Sequence, residues 1–373
     1  MKQVIYADNA ATTKLYSDAF EAMKPYMIDD YGNASQPYSL ARKPKQAIKE
    51  ARAIIAQCIN ALPEEIFFTS GGTESDNWAI KGTYFEQKSK VGVITSCIEH
   101  HAILRACECI RRMGCDISYL PVNKNGEITT DSLKKNISDN TNLVSIMYAN
   151  NEIGTIQPIR ELCHIAHEYS LLFHTDAVQA IGHVNIDVKE LGVDMLSASA
   201  HKFNGPKGIG FLYIKKGTSI YPYMSGGNQE FSLRAGTENV ASIVGMAIAL
   251  KHNCDNIECN ISKLRELERV ILNILDEANI DYIRNGTNQI PGNLSLSFKN
   301  FDGEMLLHRL DLMGIIVSTG AACDSVETKI SHVLKSISLD DSYAKGTIRI
   351  SLSSLNSIDE AEKIAKSIIK ILK

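Results

Sequence analysis

The chain has 373 residues, enough for one large domain plus a smaller one. Its composition, 44% hydrophobic and 22% charged, belongs to an ordinary folded protein and excludes a disordered chain. With 39 basic against 43 acidic side chains the net charge is −4, no stretch gathers Lys or Arg into a basic stripe, and no apolar run approaches the ~20 residues of a bilayer span, which argues against direct nucleic-acid binding and against a membrane protein.

The first residues, Met1 to Asp8, carry no signal-like apolar segment, so a cytoplasmic location is expected. Residues 44–61 place Ala47, Ile48, Ala51, Ile54, Ile55 and Cys58 at helical spacing, with Pro44 suited to a first turn. A short strand at 66–69 runs into Ser70-Gly71-Gly72-Thr73. Strand 91–95 is followed by a helix over about 99–113 that begins at Glu99-His100-His101. Strand 143–148 ends at Ala149-Asn150-Asn151-Glu152, strand 171–174 at Thr175-Asp176, and strand 195–199 at Ala200-His201-Lys202. Strands of four to six residues alternating with helices predict an α/β domain with a mostly parallel sheet, whose ligands sit at the carboxyl ends of the strands. The polar clusters fall at those ends. Beyond about residue 255 the pattern changes to a long amphipathic helix (261–277), alternating strands at 293–298 and 347–352, and a last helix at 357–373, which predicts a smaller α+β domain.

The nine cysteines include no C-x-x-C pair, so neither a disulfide framework nor a metal site is expected, and most of the thiols are expected to be buried. Cys323 is the exception. It lies in Ser318-Thr319-Gly320-Ala321-Ala322-Cys323-Asp324-Ser325, a small-residue segment without hydrophobic periodicity, which suits an accessible nucleophilic thiol.

Lys202, at a strand end beside His201 and before Gly205-Pro206-Lys207-Gly208, is either a solvated lysine or an amine held where it can lose a proton and form a Schiff base. Asp176 is either a helix cap or the carboxylate that keeps a pyridine nitrogen protonated, as pyridoxal phosphate requires. Gly71 and Gly72 before a helix suit an anion such as phosphate, although Thr73 to Asp76 also reads as a capping box. His100 at a strand end can stack on a ring and move protons. His164 and His167 read as surface or core residues. Arg349 alternates with Ile348 and Ile350, which suits either a rim ion pair or a receptor for a substrate carboxylate.

Taken in order, these segments resemble the cysteine desulfurases (NifS/IscS-like) of the class V aminotransferase group of fold-type I pyridoxal 5'-phosphate enzymes. The resemblance runs from Tyr6-Ala7-Asp8-Asn9-Ala10-Ala11-Thr12-Thr13 through Gly32-Asn33, residues 69–77, Glu99-His100, Asn150-Asn151-Glu152-Ile153-Gly154, residues 176–179 and 199–210, Arg234-Ala235-Gly236-Thr237 and residues 320–325 to Arg349. It implies a large domain (15–255) built on a mostly parallel seven-stranded sheet, and a small domain (1–14 and 256–373) carrying the cysteine loop. It further implies that Lys202 binds the cofactor covalently and that Asp176 pairs with its ring nitrogen. Gln179 and Asn151 meet its phenolic-oxygen side, and His100 stacks on the ring. Gly72, Thr73, Ser199 and His201 hold the phosphate, joined by Thr237 from the second subunit of a homodimer. Arg349 and Asn33, with Asn151, hold the carboxylate of L-cysteine. Cys323 takes the sulfur as a persulfide, leaving L-alanine, and delivers it to an acceptor protein, an iron–sulfur scaffold or a tRNA-thiolation protein. Residues 321–332 are expected to be poorly ordered without a partner.

Three segments depart from the family pattern. Ser318-Thr319-Gly320-Ala321-Ala322-Cys323 stands for Ser-Ser-Gly-Ser-Ala-Cys, no His follows Gly32-Asn33 within residues 34–39, and Ser353-Ser354 stands where Gly and a basic residue are usual. The last two bear on the substrate entrance and acceptor choice. The alternatives on the same fold are a selenocysteine lyase, a class V aminotransferase, and a catalytically silent scaffold. Cys323 has no use in a transaminase, and Lys202, Asp176, His100 and Cys323 together argue against a silent scaffold.

Overall fold

The structure, a computed structural model, describes residues 4–87, 92–319 and 330–373. Its strands are β1 (Ile5–Tyr6), β2 (Ile66–Thr69), β3 (Gly92–Ser96), β4 (Asp116–Leu120), β5 (Thr141–Ser145), β6 (Leu172–Asp176), β7 (Met195–Ser199), β8 (Gly210–Ile214), β9 (Tyr282–Arg284), β10 (Asn293–Phe298), β11 (Ile315–Ile316) and β12 (Thr347–Ser351). The helices are α1 (Ser17–Ile28), α2 (Arg42–Cys58), α3 (Gly72–Glu86), α4 (His101–Arg111), α5 (Thr130–Asn136), α6 (Ile159–Glu168), α7 (Val188–Leu191), α8 (Val240–Asp255), α9 (Ile257–Glu277), α10 (Gly303–Leu312), α11 (His332–Ser336), α12 (Asp341–Ala344) and α13 (Ile358–Leu372).

Seven strands form one sheet in the order β2-β8-β7-β6-β5-β3-β4. Strand β8 runs antiparallel to both of its neighbours, and the remaining pairs are parallel. The sheet is therefore mostly parallel, as the alternation of short strands and helices predicts. Every residue of β2, β3, β7 and β8 is buried, as a sheet covered on both faces demands. Because side chains alternate along a strand, neighbouring residues join opposite cores. Phe67, Met195 and Leu212 pack with Trp78 and Ile80 of α3 and Ile103 of α4. Phe68, Leu196 and Phe211 pack with Ile55 of α2, Leu162 of α6 and Met246 of α8.

A separate core lies on the antiparallel sheet β12-β10-β9. There Leu294, Leu296, Ile348 and Ile350 pack against Leu267 and Ile271 of α9 and Ile364 of α13. Ile5 and Ala7, from the other end of the chain, belong to this core, and β1 pairs in parallel with β11.

Several boundaries differ from the sequence reading. The helix expected at 44–61 ends at Cys58, because Asn60 turns left-handed (φ 56°) and closes it. The strand expected at 143–148 pairs over Thr141–Ser145, while Ile146 and Tyr148 still donate to β6 carbonyls. Strands β4 and β8 and helix α1 have no counterpart in that reading. Of the eight described cysteines only Cys107, Cys115 and Cys163 are buried, and Cys109 and Cys259 lie exposed on helices.

Gly210 pairs with both Thr69 and Ser199 at the ends of their strands. A Cβ there would strike the Ala198 carbonyl and lie 2.8 Å from Gly71 Cα. Gly210→Ala is expected to destabilise the protein by about 1–3 kcal/mol, the usual cost of overpacking, read as a lower urea midpoint at unchanged m-value.

Candidate active site

Strands β3, β5, β6 and β7 run parallel, so their carboxyl ends meet at one edge of the sheet. A cavity of about 580 Å³ opens there. It is lined by Gly72, Thr73, His100, Asn151, Asp176, Gln179, Ser199, His201, Lys202 and Arg349, all singled out in the sequence. Asn33 and Thr237 do not line it. They share a second cavity, of about 480 Å³, with Tyr31 and Glu238. Cys323 lies outside the described residues.

Lys202 follows β7 in a single 3-10 turn, Ala200–Lys202. Its Nζ donates to the carbonyls of Ala10 (2.6 Å) and Ala11 (2.9 Å). Gln179 Nε2 donates to the same Ala10 carbonyl at 3.0 Å. The N-terminal segment is thus a wall of the cavity, fixed where Thr13 N and Oγ1 both donate to the His201 carbonyl. His201 Nδ1 stands 3.1 Å from Thr12 Oγ1. Burial, then Lys202 and Lys207, push the His201 imidazole down to about 4, so it is neutral at physiological pH.

The opposite wall is the start of α3. Gly71, at φ 146°, is its N-cap, and no side chain caps it. The capping box expected from Thr73 to Asp76 does not form. Instead Glu74 accepts from Ser70 N–H (2.8 Å) and is clamped by Arg234 through Nε (2.8 Å) and Nη2 (3.1 Å). Asp76 turns into the protein. A Cβ on Gly72 would lie 2.6 Å from Val178 Cγ2 and 3.5 Å from Ser199 Cβ, so the helix start is pressed against β7. The free N–H groups of this first turn, with the Ser199 and Thr73 hydroxyls and His201, make a seat for an anion.

Asp176 ends β6 and is 6% exposed. Its Oδ1 accepts from Val178 N–H at 2.9 Å. Burial raises its proton affinity, against the pull of His100, the Val178 N–H and Lys202. His100 is the N-cap of α4, where Nδ1 accepts from Ala102 N–H at 3.1 Å. Burial lowers its proton affinity. With Nδ1 committed as an acceptor, the neutral ring carries its proton on Nε2.

Arg349 comes from β12, with Ile348 and Ile350 directed into the second core. Its Nη2 pairs with Asp8 Oδ1 at 2.7 Å and its Nη1 donates to the Asn151 carbonyl at 2.8 Å. Its buried Nε has no partner among the described residues. The guanidinium is therefore fixed in place with donor capacity to spare.

Residues 321–329 of the segment expected to be poorly ordered lie outside the described residues. Residues 330–332 do not fit that expectation. Ser331 is buried and caps α11 by accepting from Val333 N–H and Leu334 N–H (3.0 and 3.3 Å), and His332 Nε2 donates to the Glu99 carbonyl at 3.1 Å. His164 is exposed beside Glu168, and His167 pairs with Asp194 at 2.9 Å.

Sequence reasoning gave no place in the site to Asp8, Ala10, Asp76, Lys207 or Ser318, which also line the cavity; Asp76 it read only as part of a helix cap. Asp8 lies within one of the resembling segments, but nothing local brings it to Arg349. The Gly-rich turn was the only signal for Lys207.

The model of the aminotransferase class-V family matches residues 5–364. The chain is 48% identical over 355 residues to a protein of Dictyoglomus turgidum named cysteine desulfurase IscS, covering 94% of this chain and 90% of that protein. Among solved structures, a NifS-like protein superposes with a TM-score of 0.93 at 36% identity, covering 99% of both chains. A structure described as SspA in complex with cysteine superposes with a TM-score of 0.85 at 36% identity, covering 95% of this chain and 100% of that one.

One pH dependence follows from a buried histidine of β6. His174, two residues before Asp176 on β6, is fully buried, and burial pushes it down to about 3. An unfolded histidine protonates near 6.5. Between those values the unfolded chain binds the extra proton, so this residue's contribution to stability is complete above pH ~6.5 and is lost as the pH falls toward ~3. In urea titrations between pH 4 and 6, His174→Gln is expected to flatten the dependence of unfolding free energy on pH by up to about 1.4 kcal/mol per unit.

Proposed function

The chain belongs to the class-V aminotransferase family, and from that premise we infer that it is a pyridoxal 5'-phosphate-dependent cysteine desulfurase, converting L-cysteine to L-alanine and passing the sulfur through a persulfide on Cys323. The observation that carries the reading is the convergence of Lys202, Asp176, His100 and Arg349 on one cavity from three strand ends and the second core. Within the chain we take residues 15–255 as the cofactor-binding domain and residues 1–14 with 256–373 as the smaller one.

The residues present fit the cofactor. The start of α3 offers backbone N–H groups with no side chain across them, beside Ser199 and His201, for the phosphate. Asp176 is a buried carboxylate facing the cavity with one backbone N–H partner, and suits a protonated ring nitrogen. Lys202 places a primary amine at the same cavity. When bound, the cofactor stores the electron pair released as the C–S bond breaks.

The other steps fall to the chain. Lys202 holds the cofactor and moves protons at its Nζ. Asp176 keeps the ring nitrogen charged, and Gln179 and Asn151 face the phenolic-oxygen side. Gly72, Thr73, Ser199 and His201 hold the phosphate. His100 covers the ring and exchanges a proton at Nε2, because Nδ1 is occupied by the α4 cap. Arg349, fixed by Asp8, directs a donor edge at the substrate carboxylate, with Asn151 beside it. The Cys323 thiolate attacks the substrate sulfur, forms the S–S bond, and leaves alanine after protonation of its carbon.

Thr237 and Asn33 sit together away from this cavity, near the exposed Met27, Ile28 and Tyr31. This supports a homodimer in which Thr237 reaches the phosphate of the facing subunit. In the same reading Asn33 meets the substrate carboxylate. The sulfur leaves on a protein acceptor, an iron–sulfur scaffold or a tRNA-thiolation protein.

With a reductant present, the protein is expected to release sulfide and alanine from L-cysteine in equal amounts, and Cys323→Ala to abolish both while keeping the visible absorbance of the bound cofactor. Alanine formed at an undiminished rate by Cys323→Ala would overturn the assignment of the nucleophile. Arg349→Lys keeps the charge but loses the forked donor. It is expected to raise KM for L-cysteine about 10–100-fold, the weight of one charged hydrogen bond, with a smaller effect on kcat in steady-state assays.

A further inference from the structure

We propose that Asp76 is a protonated, uncharged carboxylic acid in the wall of the cavity, and that by staying neutral it acts as a positioning residue which leaves Asp176 as the one carboxylate ion for the cofactor's ring nitrogen. The second half rests on the cofactor reading above, while the first half concerns this chain alone.

The argument starts from position. Asp76 lies in the first turns of α3, is 1% exposed, and reaches the wall of the cavity. Its Oδ1 is buried with no hydrogen-bond partner among the described residues. The nearest basic atom is His174 Nε2, 3.9 Å away. That imidazole is already engaged on both sides, by Ser197 Oγ at Nε2 (2.9 Å) and by Ser145 Oγ at Nδ1 (2.8 Å). Register explains the row: Ser145 of β5 pairs with His174 of β6, and Ser197 of β7 pairs with Asp176.

A neutral imidazole between two hydroxyls orders the hydrogens in one direction. A protonated Asp76 sets that direction: its O–H donates to Ser197 Oγ, the Ser197 hydroxyl to His174 Nε2, and Nδ1–H to Ser145 Oγ. In the opposite sense a Ser197 hydroxyl donating to Asp76 would lower its proton affinity, against the burial and the acidic neighbours that raise it. Of the groups acting on Asp76, Asp176 from β6 and Glu99 from the β3–α4 connection are acidic, and His174 is neutral.

Asp176 is placed differently. Burial raises its proton affinity as well, but it accepts the Val178 N–H and lies near Lys202, and both pull that affinity back down. Two buried carboxyls that act on each other do not both ionise cheaply. The proton belongs on the one with an orphaned oxygen and no cation, because an unpartnered carbonyl oxygen costs far less to bury than an unpartnered carboxylate. Burial raises Asp76 well above the ordinary aspartate range, in agreement with this geometry. A neutral Asp76 adds no second charge to compete with Asp176 for the proton on the ring nitrogen.

The test is infrared spectroscopy of protonated carboxyl groups at pH 7.5, on protein with and without cofactor. A carboxylic-acid carbonyl band is expected in the wild type, shifted by 13C-aspartate labelling, lost in Asp76→Asn, and retained in Asp176→Asn and Glu99→Gln. In the loaded enzyme, Asp76→Asn exchanges one neutral group for another. It is expected to keep kcat/KM within about threefold and to move the pH titration of the cofactor's visible absorbance by less than half a unit. Removal of a real charge beside Asp176 would move that titration by a unit or more. Such a shift, or the absence of any aspartic-acid band in the wild type, would overturn the proposal. If Asp76→Asn does not fold, the labelled spectrum of Asp176→Asn decides it: a surviving aspartic-acid band supports the proposal and its loss overturns it. Protein that shows the band but takes up no pyridoxal phosphate would instead sink the cofactor reading and leave the protonation state of Asp76 standing.

Discussion

A sheet covered on both faces can offer its chemistry only where its strands stop. Along β2, β3, β7 and β8 every position is buried, so reactive groups without a local partner are excluded from the strands and collect at the ends. Four parallel strands bring those ends to one edge, which is how His100, Asn151, Asp176 and Lys202 meet across about a hundred residues of sequence. The one reversed strand matters as well. Gly210, at the start of β8, lies between the last residues of β2 and β7. Its missing side chain lets Gly71 approach the β7 end, and so brings the α3 N–H groups to the same cavity as the lysine. The anion seat and the amine are placed by one packing contact.

The rest of the cavity depends on the N-terminal segment, which is bonded to both cores. Asn9 N donates to the Ser351 carbonyl, Thr13 N to that of His201, and Tyr16 N to that of Asn204. Between these anchors the Ala10 and Ala11 carbonyls face Lys202, and Asp8 faces Arg349. A guanidinium that is 5% exposed needs such a partner, because an isolated buried charge is very costly. Asp8 orients the arginine, and the Asn151 carbonyl fixes its other arm. The two cores are thereby joined through groups that line the cavity.

The strand ends were legible in the sequence because short β-rich runs stop abruptly at polar clusters. Strands β2, β7 and β10 match the reading to the residue. Strand β8 was missed because Gly-Phe-Leu-Tyr-Ile follows directly on a glycine-rich turn and is apolar without alternation, which short-range patterning does not separate from a loop. Lys202, Asp176, His100 and Arg349 could be picked out because each breaks a local pattern. Asp8 could not, since its partner lies 341 residues away. Nor could His174, which reads as one more strand residue until β5 and β7 place a serine on either side of it. Asp76 was read as part of a cap, because an aspartate near a helix start usually is one. Only the packing of α3 against β6 and β7 turns it inward. Asn33 and Thr237 show the remaining gap: a single chain puts them together, but in a different cavity from Arg349.

The histidines around the cavity share one physical fate. His100, His174 and His201 are all held toward the neutral form by burial. Histidine ordinarily changes charge near neutral pH, so burying all three takes that variability out of the site. The other basic side chains lining the cavity are Lys202, Lys207 and Arg349. A neutral imidazole is also directional, since one nitrogen donates while the other accepts. At His174 this gives the serine row a single sense. At His100 the helix cap consumes Nδ1, so a second proton on that ring would cost the Ala102 hydrogen bond. The α4 cap therefore does more than start a helix: it selects the tautomer of the one imidazole that lines the cavity beside Asp176, and it leaves Nε2 as the atom through which that ring can act.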